Sequence, residues 1–86
     1  MNGSVLVLTT VNAAYSKKLD AQELVHCLLD PNAAKAACGP MSSFFGDVKP
    51  ELQIAFAQIH GITHAHLVAA AKAFAAYSGQ SYPLAA

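Results

Sequence analysis

The chain has 86 residues, which is enough for one domain, because a second hydrophobic core would bury too little surface to offset the entropy of ordering it. Hydrophobic residues make up 55% and charged residues 12%, a composition that excludes intrinsic disorder and leaves more apolar surface than one small domain buries by itself. Five lysines balance five acidic residues and arginine is absent, so no long-range field attracts the protein to nucleic acid or to anionic lipid.

The N-terminal segment 4–17 carries two competing patterns. Its apolar residues follow the helical period, whereas the sequence VLVLTTV at 5–11 has the β propensity of a strand. A lone strand in a helical monomer would leave its backbone groups unpaired, so a strand here requires pairing across a dimer. We therefore predict a helix over 4–17 and keep the strand as the alternative.

A three-part start signal predicts a helix over 20–29. Asp20 is suited to cap the first turn, and Glu23 to return a hydrogen bond to the cap. Leu19 and Leu24 have the spacing of a hydrophobic staple. The apolar residues that follow form one stripe at helical spacing, which predicts a buried face.

The pair Asp30 and Pro31 predicts the end of that helix and the start of a short one over 31–38, with aspartate as the cap and proline in the first turn. The next stretch, 39–49, reads GPMSSFFGDVK, and its glycine, proline and serine residues are typical of a turn-rich connection. Its large apolar side chains need burial. We expect the connection to cross the core as a single helical turn.

Two further helices are predicted over 50–60 and 63–78. Pro50 suits a first helical turn, and Gly61 is a natural terminator. Thr63 is then suited to cap the last helix. The whole pattern predicts a single all-α domain, a small bundle of four to five short helices.

Several features place this domain in a broad class. No segment approaches the roughly 18 to 20 uninterrupted apolar residues of a membrane span, and no export signal precedes the fold, so we expect a cytoplasmic protein. Cys27 and Cys38 are then expected to be reduced. The final residues, 79–86, are expected to form a loosely ordered tail unless Tyr82 or Leu84 docks on the core.

Three histidines, His60, His64 and His66, lie within seven residues around Gly61. Imidazole is a good ligand for zinc, copper or nickel, and the free N–H groups of a helix start attract anions. A metal or anion site at these residues is therefore one hypothesis. Against it, His64 and His66 point about 200° apart on a helix, so solvated polar residues at a helix corner are the plainer interpretation.

The segment 56–70 has the general spacing of a helix-turn-helix, with Gly61 in the turn and Ile62 directly after it. Base reading needs Arg, Lys, Asn or Gln on the second helix, together with cationic phosphate contacts. That helix offers mainly two histidines and Lys72. A DNA-binding regulator is therefore the alternative function, and nucleic acid is a disfavoured partner.

No residue pattern indicates catalysis, because neighbouring helical residues such as His26 and Cys27 point about 100° apart and the acidic residues are used by helix starts. We expect a non-catalytic protein–protein interaction module without a cofactor, typical of small bacterial or phage accessory proteins. It is expected to be a homodimer that binds or regulates a protein target. The interface anchors are expected to be exposed large residues among Tyr15, Met41, Phe44, Phe45 and Tyr77.

Overall fold

A computed structural model describes residues 19–85 of the chain, and within them the fold is all-α, as predicted. The predicted helix over 4–17, its strand alternative over 5–11 and the candidate anchor Tyr15 lie outside the described residues. The elements in chain order are α1 (Ala21–Leu29), α2 (Pro31–Ala36), α3 (Cys38–Asp47), α4 (Pro50–Ile59), α5 (His64–Ser78) and a 3-10 turn (Pro83–Ala85). None of the described helices is long and apolar enough to cross a membrane.

The predicted helix caps are confirmed. Asp20 accepts a hydrogen bond from a backbone N–H of α1 at 2.8 Å, and Asp30 accepts one from α2 at 3.0 Å. Thr63 does the same for α5 at 3.1 Å. Gly79 ends α5 with φ 72°, a left-handed conformation that suits glycine because it has no Cβ. Polar side chains therefore set the starts of α1, α2 and α5, and a glycine sets the end of α5.

Helix α3 is the main departure from the sequence prediction, which placed a turn-rich connection over 39–49. The preceding helix ends at Ala36 rather than at 38. Ala37 then has a non-helical backbone conformation, with φ −105° and ψ 41°, and a helix of ten residues follows it. Pro40 falls in the first turn, where its missing N–H costs no hydrogen bond. The helix is held by a buried face at the spacing i, i+3, i+4, consisting of Met41, Phe44 and Phe45.

Aromatic rings form the centre of the core. The ring of Phe44 lies edge-on to that of Phe45 at 5.3 Å and to that of Phe56 at 6.0 Å. Phe45 in turn lies 5.7 Å from Phe74 of α5. These are the separations and tilts that aromatic pairs favour. The rings therefore link α3, α4 and α5 into one hydrophobic cluster.

Tyr82 near the C-terminus completes this core, which is the docking under which a loosely ordered tail was not expected. Tyr82 is only 3% exposed, and its ring lies 5.8 Å from Phe45 and 5.9 Å from Phe74. Its hydroxyl lies 3.1 Å from Oε1 of Gln80 and 3.4 Å from Oγ of Ser42. The docking of Tyr82 holds the 3-10 turn against α5.

Among the described residues, the core encloses one fully buried polar side chain, that of Gln53. Gln53 of α4 donates from Nε2 to the carbonyl oxygen of Val48 at 2.8 Å and to that of Phe45 at 3.3 Å. These carbonyls belong to the end of α3, where the helix leaves its last acceptors without an internal partner. Gln53 therefore joins the end of α3 to α4. Its Oε1 is buried without a hydrogen-bond partner.

Candidate binding cleft

An apolar cleft of about 330 Å³ lies between the α1–α2 corner and α5. Its α5 wall repeats at helical spacing over three turns and consists of His66, Ala69, Ala70, Ala73, Phe74 and Tyr77. The opposite wall comes from the end of α1 and from α2, where Leu29 and Lys35 are its largest exposed side chains. The volume lies at the lower end of the range found for ligand sites.

Large apolar side chains remain exposed at this cleft. Leu29 is 50% exposed and Tyr77 is 51% exposed, and both line it. Among the described residues the other large exposed apolar side chain is Ile59, at 41%, which lies elsewhere. The same lining includes the small exposed side chains of Ala69 and Ala73 on α5. The result is a concave apolar surface with two larger side chains beside it.

The cleft is lined by one cation. Lys35 and His66 line it, and no carboxylate does so in the part of the chain that the structure describes, although two acidic residues lie close enough to act on the thiol of the lining. The Nζ atom of Lys35 lies 5.3 Å from the centroid of the Tyr77 ring, within the range of a cation–π contact. The cation therefore sits next to one of the two large exposed apolar residues of the cleft.

A thiol also lines the cleft. Cys27 of α1 is 6% exposed, and its Sγ lies 3.6 Å from the carbonyl oxygen of Ala33. Burial raises the pKa of the Cys27 thiol above its ordinary value, and the negative charges of Glu23 and Asp30 add to the shift. A raised pKa keeps this group in the unreactive thiol form at neutral pH, the opposite of what a nucleophile requires.

The structure separates the candidate interface anchors. Met41, Phe44 and Phe45 are at most 1% exposed and belong to the core, and of these three only Phe45 reaches the lining of the cleft. Tyr77 is exposed and lines the cleft. Sequence reasoning missed Leu29, because its place on the apolar stripe of α1 suggested burial; its position as the last residue of that helix leaves it half exposed.

The histidine corner does not assemble a metal site. Among residues 19–85 no group of three His, Cys, Asp or Glu side chains is arranged to hold a metal ion. The ring of His60 lies against that of Phe56 at a tilt of 43°, with the ring centroids 4.4 Å apart, whereas His64 and His66 are exposed on α5. Thr63 Oγ1 already accepts the backbone N–H of His66, which uses one of the donors that an anion would need.

The predicted helix corner is present between α4 and α5, and Gly61 turns the chain there with φ 74°. Ile62 is buried at 5% exposure directly after it, as the sequence spacing suggests. The exposed basic side chains of α5 are His64, His66 and Lys72, and none of the arginine, asparagine or glutamine side chains that read base edges lies on this helix. DNA binding stays a prediction, and the exposed side chains of α5 do not favour it.

No family model matches the sequence, and neither the curated proteins nor the solved structures include a significant match. The site is therefore described by its geometry alone, as an apolar cleft on a small helical domain.

Proposed function

We propose that this protein is a non-catalytic helical interaction module that binds or regulates a protein target through the cleft between α1–α2 and α5. The observation that carries the proposal is the meeting of Leu29 and Tyr77, both half exposed, at one concave apolar surface. Interfaces concentrate their binding energy in a few aromatic and aliphatic anchors that surround a pocket. Tyr77 is such an anchor, and unlike the core aromatics it is accessible.

The chemistry of the cleft supports binding rather than catalysis. An acid–base enzyme needs titratable groups in reach of one another, and a thiol enzyme needs a lowered thiol pKa. The described lining has no carboxylate, and the pKa of Cys27 is raised. What the cleft does offer is apolar surface with one cation beside it, which is a binding surface.

The test uses a displayed random library of peptides of about 16 residues, long enough for a helix of four turns. Peptides selected on the full chain are then measured against two matched variants, Ala73→Trp and Ala76→Trp. Both positions are exposed on α5, but Ala73 lines the cleft and Ala76 does not. We expect the first variant to lose binding at least tenfold and the second to keep it. Selected peptides that bind both variants alike would place the binding surface elsewhere and refute the proposal.

A further inference from the structure

We infer that the partner of the cleft is an amphipathic helix that carries a carboxylate opposite Lys35. This inference rests on the proposed function and deepens it, because it states the chemistry of the target segment. Three features of the cleft support a helical, acidic partner: its length, the small side chains on its α5 wall and its lysine.

The length of the cleft matches a helix. Its α5 wall runs from His66 to Tyr77, a rise of about 16 Å along the helix axis. That is three turns, over which a partner helix presents its i, i+3, i+4 and i+7 side chains. A compact small molecule would contact only part of this wall.

The α5 wall of the cleft allows a second helix to approach closely. Ala69 and Ala73 line the cleft one turn apart on α5 and are exposed, so this part of the helix presents only small side chains to the cleft. Helices that pack over small side chains reach the short end of the 8–10 Å range of interaxial distances. Large apolar side chains of the partner would then insert beside the alanines, and Leu29 and Tyr77 would cover their sides.

The lysine of the cleft favours an acidic partner. Lys35 is the lysine of the lining and is held beside the Tyr77 ring at 5.3 Å, and no described lining residue supplies a carboxylate. A docked apolar helix would remove water from this cation without neutralising it, which is costly unless the partner brings a negative charge. A Glu or Asp on the edge of the partner's apolar face satisfies that requirement, and a Lys or Arg there is repelled.

The experiment is a charge swap on a cleft-binding peptide obtained from the library. The peptide is made with Glu, Gln or Lys at its acidic position, and each form is titrated by fluorescence anisotropy against the full chain and its Lys35→Glu variant. We expect the Glu form to bind the wild type at least tenfold more tightly than the Lys form, and Lys35→Glu to reverse the order. The control is Lys49→Glu, an exposed lysine outside the cleft, which should change neither ranking.

The outcomes separate the two proposals. Peptides that are lost with Ala73→Trp but show no acidic residue, or no response to Lys35→Glu, would retain the binding cleft and overturn the acidic helix. Selected peptides indifferent to Ala73→Trp would overturn both. If the chain instead self-associates through the cleft, so that Ala73→Trp converts a dimer to a monomer while Ala76→Trp does not, the occupant is a second copy and the inference of an acidic partner is wrong.

Discussion

Lys35 of α2 and Tyr77 of α5 meet across the cleft, with the ammonium nitrogen 5.3 Å from the ring centroid. The contact connects two helices that are far apart in sequence, and it involves one of the two large exposed apolar side chains of the cleft.

This pair should contribute a small but measurable coupling to stability. In a double-mutant cycle with Lys35→Met and Tyr77→Leu, we expect an interaction free energy of about 0.5 kcal/mol, the value for an exposed cation–π contact. Urea unfolding of the four proteins measures it. The same cycle with Lys72→Met, at an exposed lysine outside the cleft, should give no coupling. Equal values for the two cycles would show that Lys35 does not interact specifically with the ring.

The stability of the protein should depend on the donor of Gln53 and on the absence of a charge at this position. Gln53→Leu keeps most of the volume but leaves the carbonyls of Phe45 and Val48 without their donor, and should cost about 1–3 kcal/mol of unfolding free energy. Gln53→Glu should cost more at pH 7, because it buries a carboxylate next to two carbonyl oxygens. Protonation of the introduced carboxyl group restores a donor.

The sign of the pH effect for Gln53→Glu follows from burial. Desolvation raises the pKa of the introduced carboxyl group in the folded state above its unfolded value of about 4.3. The variant is therefore most stable below that value and loses stability as the pH rises through the folded-state pKa. Unfolding curves from pH 4 to pH 8 measure this. Gln58→Glu, an exposed position on the same helix, is the control, and a parallel pH dependence of the two variants would contradict the prediction.

Tyr82 should be a major stabilising residue despite its place near the C-terminus. Tyr82→Ala removes a ring that is 3% exposed and should cost about 3–4 kcal/mol, as for other buried aromatic residues. Tyr82→Phe should cost about 1 kcal/mol or less, because the hydroxyl contacts of 3.1–3.4 Å are long. Thermal unfolding with Tyr77→Ala as the comparison tests this. A loss for Tyr82→Ala no larger than that for Tyr77→Ala, at a half-exposed residue, would contradict the prediction.

The elements that sequence reasoning predicted correctly are those with local signals. Asp20 and Thr63 cap helices through bonds to residues three positions away, and Gly79 supplies a backbone conformation that few residues adopt. Each signal is complete within one helical turn. Helix α3 lacks them, since Ala37 gives no side-chain cap and Pro40 resembles a turn residue. Its stability comes from packing with α4 and α5, although its apolar spacing was a usable clue.

The cleft could not be predicted because it belongs to no single segment. Leu29, Lys35 and Tyr77 come from three helices, and their exposure depends on how these helices pack. Sequence reasoning named Tyr77 because aromatic residues are common anchors, but the same reasoning also named Phe44 and Phe45, which are buried in the core. Exposure, rather than residue type, distinguishes the two groups.

Self-association stays a prediction based on the apolar composition. We expect the mass measured by light scattering to correspond to a dimer across a concentration series, and the Ala73→Trp variant to retain it, because the cleft is proposed to bind another protein. A monomer at all concentrations would contradict the dimer and would show that the apolar excess is satisfied within one chain. A dimer lost only in Ala73→Trp would identify the cleft as its interface.

The thiol of Cys27 should lose its proton at a higher pH in the folded chain than in the unfolded chain, and its rate of alkylation should depend on whether the cleft is occupied. Because burial and the carboxylates of Glu23 and Asp30 raise its pKa in the folded state, the thiol form contributes stability that is present below the unfolded thiol pKa and lost as the pH rises through the folded value. Alkylation by iodoacetamide, followed by mass spectrometry in a Cys38→Ala background, should therefore reach half its maximal rate at a higher pH in the folded chain than in urea. A cleft-binding peptide should slow the reaction further, since Cys27 lines the cleft. An identical pH midpoint in the folded and unfolded chains would contradict the raised pKa. An alkylation rate of Cys27 that does not change at peptide saturation would show that the peptide binds away from the cleft.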